Sequence, residues 1–177
     1  MGFTNMNTIQ MINKIKKQED DIVKTNIELE DIVIHDIKKL GAIGDNAQIL
    51  KDLFASINDY ENIYIPSGEF RIKITNTNIT QIGNGGSLLI TDGKKGIRIT
   101  GKGRLILDTS TCTTKNWFCL LRNCEDIIID GITVIGDAVF QKDVNVSDYA
   151  PNGIGFEKCR NVKFINNTIE NVMACLS

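Results

Sequence analysis

Proline and histidine are scarce in this chain: Pro66 and Pro151 are the two prolines, and His35 is the single histidine. One histidine leaves little for a metal centre, and none of the five cysteines forms a CxxC pair, so no zinc motif is present. The cysteines are Cys112, Cys119, Cys124, Cys159 and Cys175. Five is odd, which excludes complete pairing within one chain. They read as buried thiols serving as small core residues. No excess of either charge stands out: the net charge is −2, with acids and bases mixed throughout. Without a basic stripe or polybasic cluster, nucleic acid and anionic membrane surfaces are not expected partners. The opening residues Met1–Gln10 are polar and lack the apolar centre of a signal peptide. No stretch approaches the roughly 20 apolar residues of a membrane span. The expectation is synthesis in a cytoplasm, without ordinary export and without membrane insertion. Release by lysis still permits an extracellular working life.

What the chain has is isoleucine, threonine, asparagine and 15 glycines. Ile and Val suit strands, whereas Gly and Asn suit tight turns that need positive φ. Residues 8–31 are different, with no Gly or Pro and many Lys, Gln, Glu and Ile. Placing Ile15, Ile22 and Leu29 at heptad position a puts Met11, Gln18, Thr25 and Ile32 at d. Gln18 and Thr25 leave that seam half polar. So thin an apolar stripe does not hold a lone helix in water. Residues 1–32 are therefore expected to be a helical stem that self-associates. A helix packed on the body of one chain and a disordered segment are the alternatives.

From Val33 onward, residues 31–35 and 36–40 read as short extended pieces. Gly41-Ala-Ile-Gly-Asp45 marks a tight turn ahead of a helix over about 46–57. Asp45 is the expected N-cap, with Gln48 completing a capping box. Ile49, Leu50, Leu53, Phe54 and Ile57 form the apolar face. Residues 62–65 and 70–74 read as two strands separated by a Pro66-Ser-Gly68 turn. Gly83-Asn-Gly-Gly86 breaks the chain, and short strands follow at 87–91, 96–100 and 104–108.

Three later segments repeat one pattern: Gly96-Ile-Arg-Ile-Thr-Gly101, Asp126-Ile-Ile-Ile-Asp-Gly-Ile-Thr-Val134 and Asn161-Val-Lys-Phe-Ile-Asn-Asn-Thr-Ile169. Ile97 matches Ile127 and Val162, and Ile99 matches Ile129 and Phe164. Ile132 and Val134 match Asn167 and Ile169, residues 117–121 match 152–156, and Cys124 matches Cys159. The last offset is 159 − 124 = 35 residues, longer than a bare coil of roughly 20–25. The surplus, residues 136–150, reads as an excursion from one corner. A unit of two or three short strands cannot bury its own apolar side, so stacking in parallel is the expected solution. A right-handed parallel β-helix, mostly β with an N-terminal capping helix, is the expected fold over 33–177. An antiparallel sandwich is the alternative. Residues 173–177 resemble the first strand of a further coil, which leads to the expectation that the chain continues beyond Ser177.

Residues 36–45, a helix, and then Ile63-Tyr-Ile-Pro-Ser-Gly-Glu-Phe70 resemble the opening of pectate-lyase-superfamily domains. That opening is a Gly-Ala-x-Gly-Asp turn, a capping helix and an apolar strand closing on Pro-x-Gly-x-aromatic. The resemblance spans about 33–74. Here Asn46 follows Gly44-Asp45 directly, where the family often has an acidic pair. Phage tail spikes and appendages share this opening with bacterial polysaccharide lyases and hydrolases. With a stem and without a signal peptide, the resemblance leans toward a homotrimeric phage tail-spike or appendage subunit located in the virion. It implies contact with other tail or neck proteins through the N-terminus, and with host-surface polysaccharide through a region downstream of these residues. A bacterial polysaccharide lyase or glycoside hydrolase and a non-catalytic virion adaptor remain alternatives, because fold does not fix activity.

Glycan hydrolysis needs two or three carboxylates facing one groove. Lyase chemistry needs a base and often Ca²⁺ held by acids. Asp137, Asp143 and Asp148 share the expected excursion and are the candidate acids, although a solvated acidic loop explains them as well. No cofactor and no metal set is indicated. His35 reads as a structural residue at the stem–body junction.

Overall fold

The computed structural model describes residues 33–41, 45–82, 85–113, 116–137 and 152–172. The stem positions Met11, Ile15, Ile22, Leu29 and Ile32 lie outside these residues, as do Asp143 and Asp148. The chain divides into two units, Met1–Val33 and Ile34–Ser177. All described residues except Val33 belong to the second.

The described residues form one helix and two sheets. Strand β1 (Ile34–Asp36) precedes helix α1 (Ala47–Ser56), and β2 (Asn62–Lys73), β3 (Thr80–Ile82), β4 (Gly85–Asp92) and β5 (Arg98–Asp108) follow. Then come β6 (Asn116–Arg122), β7 (Glu125–Asp130), β8 (Thr133–Ile135), β9 (Asn152–Glu157), β10 (Arg160–Ile165) and β11 (Thr168–Glu170). One sheet runs β1-β2-β5-β7-β10, with β8 pairing β5 and β11. The other runs β3-β4-β6-β9. Among the described residues every strand pair is parallel except the β3–β4 hairpin. That pairing rules out the antiparallel sandwich. The protein is mostly β, built on parallel sheets.

The residue matches read from the sequence are the observed registers. Val162 pairs with Ile127, Phe164 with Ile129 and Ile169 with Val134. Ile99 pairs with Ile129 from the other side, and Trp117 and Leu121 pair with Asn152 and Phe156. The spacing is the same in both sheets: 152 − 117 = 35 and 160 − 125 = 35. Period-two alternation sends Ile63, Ile65, Ile72, Ile99, Leu105, Ile127 and Ile129 inside. Each such side chain contributes roughly 1.5–3 kcal/mol by leaving water.

The corners repeat as well. Tyr60, Gly96, Asp126 and Asn161 occupy equivalent positions, with φ of 64°, 68°, 58° and 54°. Non-glycine residues there cost about 1–2 kcal/mol each. Ties between neighbouring corners offset the cost: Asn161 Nδ2 donates to Asp126 Oδ1 at 3.0 Å, and Asn166 Nδ2 to Asp130 Oδ1 at 3.0 Å.

Several local expectations are corrected. Pro66-Ser-Gly68 is a bulge within the continuous strand β2, with a register shift between Ile65 and Gly68. Pro66 has no N–H to give the ladder, and Gly68 takes φ 139°. The stretch 96–108 is likewise one long strand from Arg98. Residues 37–41 turn instead of extending, with Leu40 N bonded to Asp36 O at 3.1 Å. The helix begins at Ala47, and the capping box does not form. Asp45 Oδ1 accepts from Ala47 N and from Lys73 N, each at 3.0 Å, tying the helix start to β2. Gln48 donates to Asp52 Oδ1 at 2.6 Å instead. Thr80–Ile82, a strand the sequence did not signal, closes the hairpin onto β4.

Candidate functional site

Of the three candidate acids, Asp137 is described, and its oxygens are already occupied. Oδ2 accepts from Thr109 N at 2.6 Å and Oδ1 from Thr109 Oγ1 at 2.7 Å. Thr109 is buried, so Asp137 holds the chain leaving β5. Other acids make similar ties. Asp108 Oδ1 accepts from Ser110 N at 3.0 Å and Ser110 Oγ at 2.6 Å. These bonds, the hydroxyl's first, outweigh burial and hold the Asp108 carboxyl below its ordinary value. Glu61 accepts from Asn58 N at 2.8 Å and lies 2.9 Å from His35 Nε2. Burial pushes the Glu61 carboxyl up, but the Asn58 and His35 bonds outweigh it and leave it below its ordinary value. His35 is thereby a tie between β1 and the chain entering β2.

The thiols follow the coil repeat. Cys124 Sγ lies 3.7 Å from Thr91 O, with Arg122 O nearer at 3.0 Å, and Cys159 Sγ donates to Leu121 O at 3.3 Å. Thr91 and Leu121 are register partners, so both thiols reach the same carbonyl position one coil back. Burial pushes the Cys119 and Cys124 thiols up. Cys119, Cys124 and Cys159 are free thiols. Among the described residues no three His, Cys, Asp or Glu side chains gather to hold a metal ion.

One concave site lies on the β3-β4-β6-β9 sheet and was not read from the sequence. It is a groove of about 440 Å³ with Ile82, Trp117, Leu120 and Phe156 among its apolar walls. Asn116, Asn152 and Glu157 supply its polar groups. Gly155 makes room for the indole: a Cβ there would lie 3.2 Å from Trp117 Cε3 and 3.0 Å from Leu120 Cδ1. Gly86 does the same at the hairpin, where a Cβ would lie 3.0 Å from Ile79 Cδ1. Asn116 is 1% exposed, and its Nδ2 donates to Cys112 Sγ at 3.4 Å.

Charge at one end of the groove is organised by a rung. Asp92, Arg122 and Glu157 are register partners on β4, β6 and β9. Arg122 Nε donates to Glu157 Oε2 at 2.9 Å, and Arg122 Nη1 lies 3.8 Å from Asp92 Oδ2. Hydrogen bonding to Glu157 raises the Arg122 guanidinium above its ordinary value.

No family model matches the chain, and no curated protein matches it. A crystal structure described as a putative glycosyl hydrolase from Parabacteroides merdae is similar, with a TM-score of 0.48 and 12% sequence identity. The likeness covers 81% of this chain and 79% of that one. At that level it carries no argument about fold or activity.

Proposed function

We propose that residues 33–177 are coils of a right-handed parallel β-helix, and that the chain is a subunit of a phage tail spike or appendage. In this reading residues 1–32 are a stem that joins three chains and attaches them to other tail or neck proteins. The β-helix engages host-surface polysaccharide. The two sheets advance together, by 30 residues from β4 to β6 and β5 to β7 and by 35 from β6 to β9 and β7 to β10, which supports the solenoid.

The observation that carries the glycan assignment is the Trp117–Phe156 groove over Gly155. Aromatic faces suit the C–H faces of sugar rings, and a few amides beside them suit hydroxyls. Asn152 provides such an amide. Hydrolysis would need a second carboxylate across the groove. Among the described residues Glu157 is the one carboxylate lining it, and Arg122 engages that group. The role assigned to this groove is therefore binding.

Light scattering on the intact protein tests the oligomer: a mass of three chains supports the spike reading, and one chain contradicts it. Ile15→Asp with Ile22→Asp dissociates the assembly if the heptad reading holds. Binding of the intact protein to surface polysaccharide, lost in Trp117→Ala, tests the groove.

A further inference from the structure

We infer that the groove selects uncharged glycan and rejects polyanionic glycan, an inference that rests on the groove being a glycan site. Among its described lining residues the sole ionisable group is Glu157, so the fixed charge those residues present to a ligand is negative. A uronate, sulfate or sialate needs a cation there, and the guanidinium at hand is already committed. Arg122 gives Nε to Glu157 Oε2 at 2.9 Å and Nη2 to Oε1 at 3.5 Å, and faces Asp92 at 3.8 Å. Two carboxylates share one guanidinium, which leaves excess negative charge along the rung.

The remaining walls are Ile82, Trp117, Leu120 and Phe156 with the neutral amides of Asn116 and Asn152. A charged ligand group brought against such walls loses hydration and regains no ion pair, and placed near Glu157 it meets like charge. An uncharged sugar incurs neither cost. Its ring face meets the aromatics and its hydroxyls meet the Asn152 amide. Selectivity thus comes from a repulsive element as well as an attractive one.

Glu157 also sets what a substitution does. Glu157→Gln removes the like charge and releases Arg122 from one of its two acids. The ratio of anionic to uncharged affinity is expected to rise by about tenfold or more.

The test is a glycan array carrying both classes, probed with the intact protein, its Trp117→Ala variant and its Glu157→Gln variant. Isothermal titration of the hits and thermal melts that verify folding accompany it. Expected are uncharged hits that vanish in Trp117→Ala, anionic members bound at least about tenfold more weakly, and a ratio that rises in Glu157→Gln. Trp117-dependent hits among anionic members as strong as the uncharged ones would overturn the charge selectivity and leave the glycan reading standing. A ratio unmoved in folded Glu157→Gln would likewise overturn it. An array with no Trp117-dependent hit of either class would overturn both.

Discussion

Arg122 and Glu157 stand 35 residues apart in sequence and side by side in the β6–β9 ladder, joined by an Nε–Oε2 bond of 2.9 Å. With Asp92 they make a rung whose charge alternates along three successive strands. Like charges opposite one another would be repelled, so the alternation favours this register. A slip by one residue would also turn Cys119 and Leu121 away from the core. The rung and the apolar ladder specify the same alignment, and that alignment sets Gly155 opposite Leu120, where it leaves room for Trp117.

Close stacking makes one glycine indispensable and leaves another replaceable. Gly101 has φ 143°, and a Cβ there would collide with the carbonyl oxygen of Ile65. Gly93 has φ 68° with nothing within 4 Å of its Cβ position. Gly101→Ala is expected to cost about 3 kcal/mol or more, since strain and overlap add. Gly93→Ala costs about 1 kcal/mol from backbone strain alone. Urea unfolding of both variants checks the difference, and equal costs would contradict this packing.

Asp137 is assigned to stability. Its two bonds to Thr109 are charge-assisted and partly buried. Asp137→Ala is expected to destabilise by about 1–3 kcal/mol, because it strands the buried Thr109 N–H and hydroxyl. Glycan binding by the folded variant should stay at the level of the parent protein. A folded Asp137→Ala that melts normally but loses glycan binding would reverse the assignment.

Acid should weaken the fold through carboxylates held in their charged form. Glu61 lies below its ordinary 4.5 and Asp108 below its ordinary 3.8. On unfolding each returns to the ordinary value, so in this range the unfolded chain binds more protons. Their contribution is fully present above pH 4.5 and is lost as pH falls through the folded values. The urea midpoint is expected to be flat from about pH 7 to about pH 5 and to fall below that. Glu61→Gln removes part of the fall. A midpoint in that variant with the same acid dependence as the parent would exclude Glu61 as a source.

The stacking was legible in the sequence because it depends on alternation and spacing. Ile97, Ile127 and Val162 announce one inward position, and Cys124 and Cys159 fix the offset between coils. Local backbone choices were less legible. Pro66-Ser-Gly68 has turn composition, yet parallel pairing with Gly103 and Arg104 continues β2 through it as a bulge. Asp137 looked like a loop acid because its partner Thr109 is 28 residues away. The groove was missed because Trp117 reads as one more apolar strand residue. Its signal was present in the aligned strands: Asn152-Gly-Ile-Gly-Phe156 sets a glycine where a side chain would meet the indole. Gly155 pairs with Leu120 and leaves room for the indole of Trp117, and that becomes visible only once the register is known.

Trp117 is the single tryptophan of these 177 residues, which also hold three tyrosines, so emission excited at the red edge, where tyrosine scarcely absorbs, reports within them on the groove. Emission of the intact protein, recorded while host-surface oligosaccharide is added and with acrylamide as quencher, tests the central claim most directly. A saturable change in emission with Trp117 shielded from acrylamide is the predicted result. Saturable glycan binding that leaves both the emission and the quenching of Trp117 unchanged would contradict it.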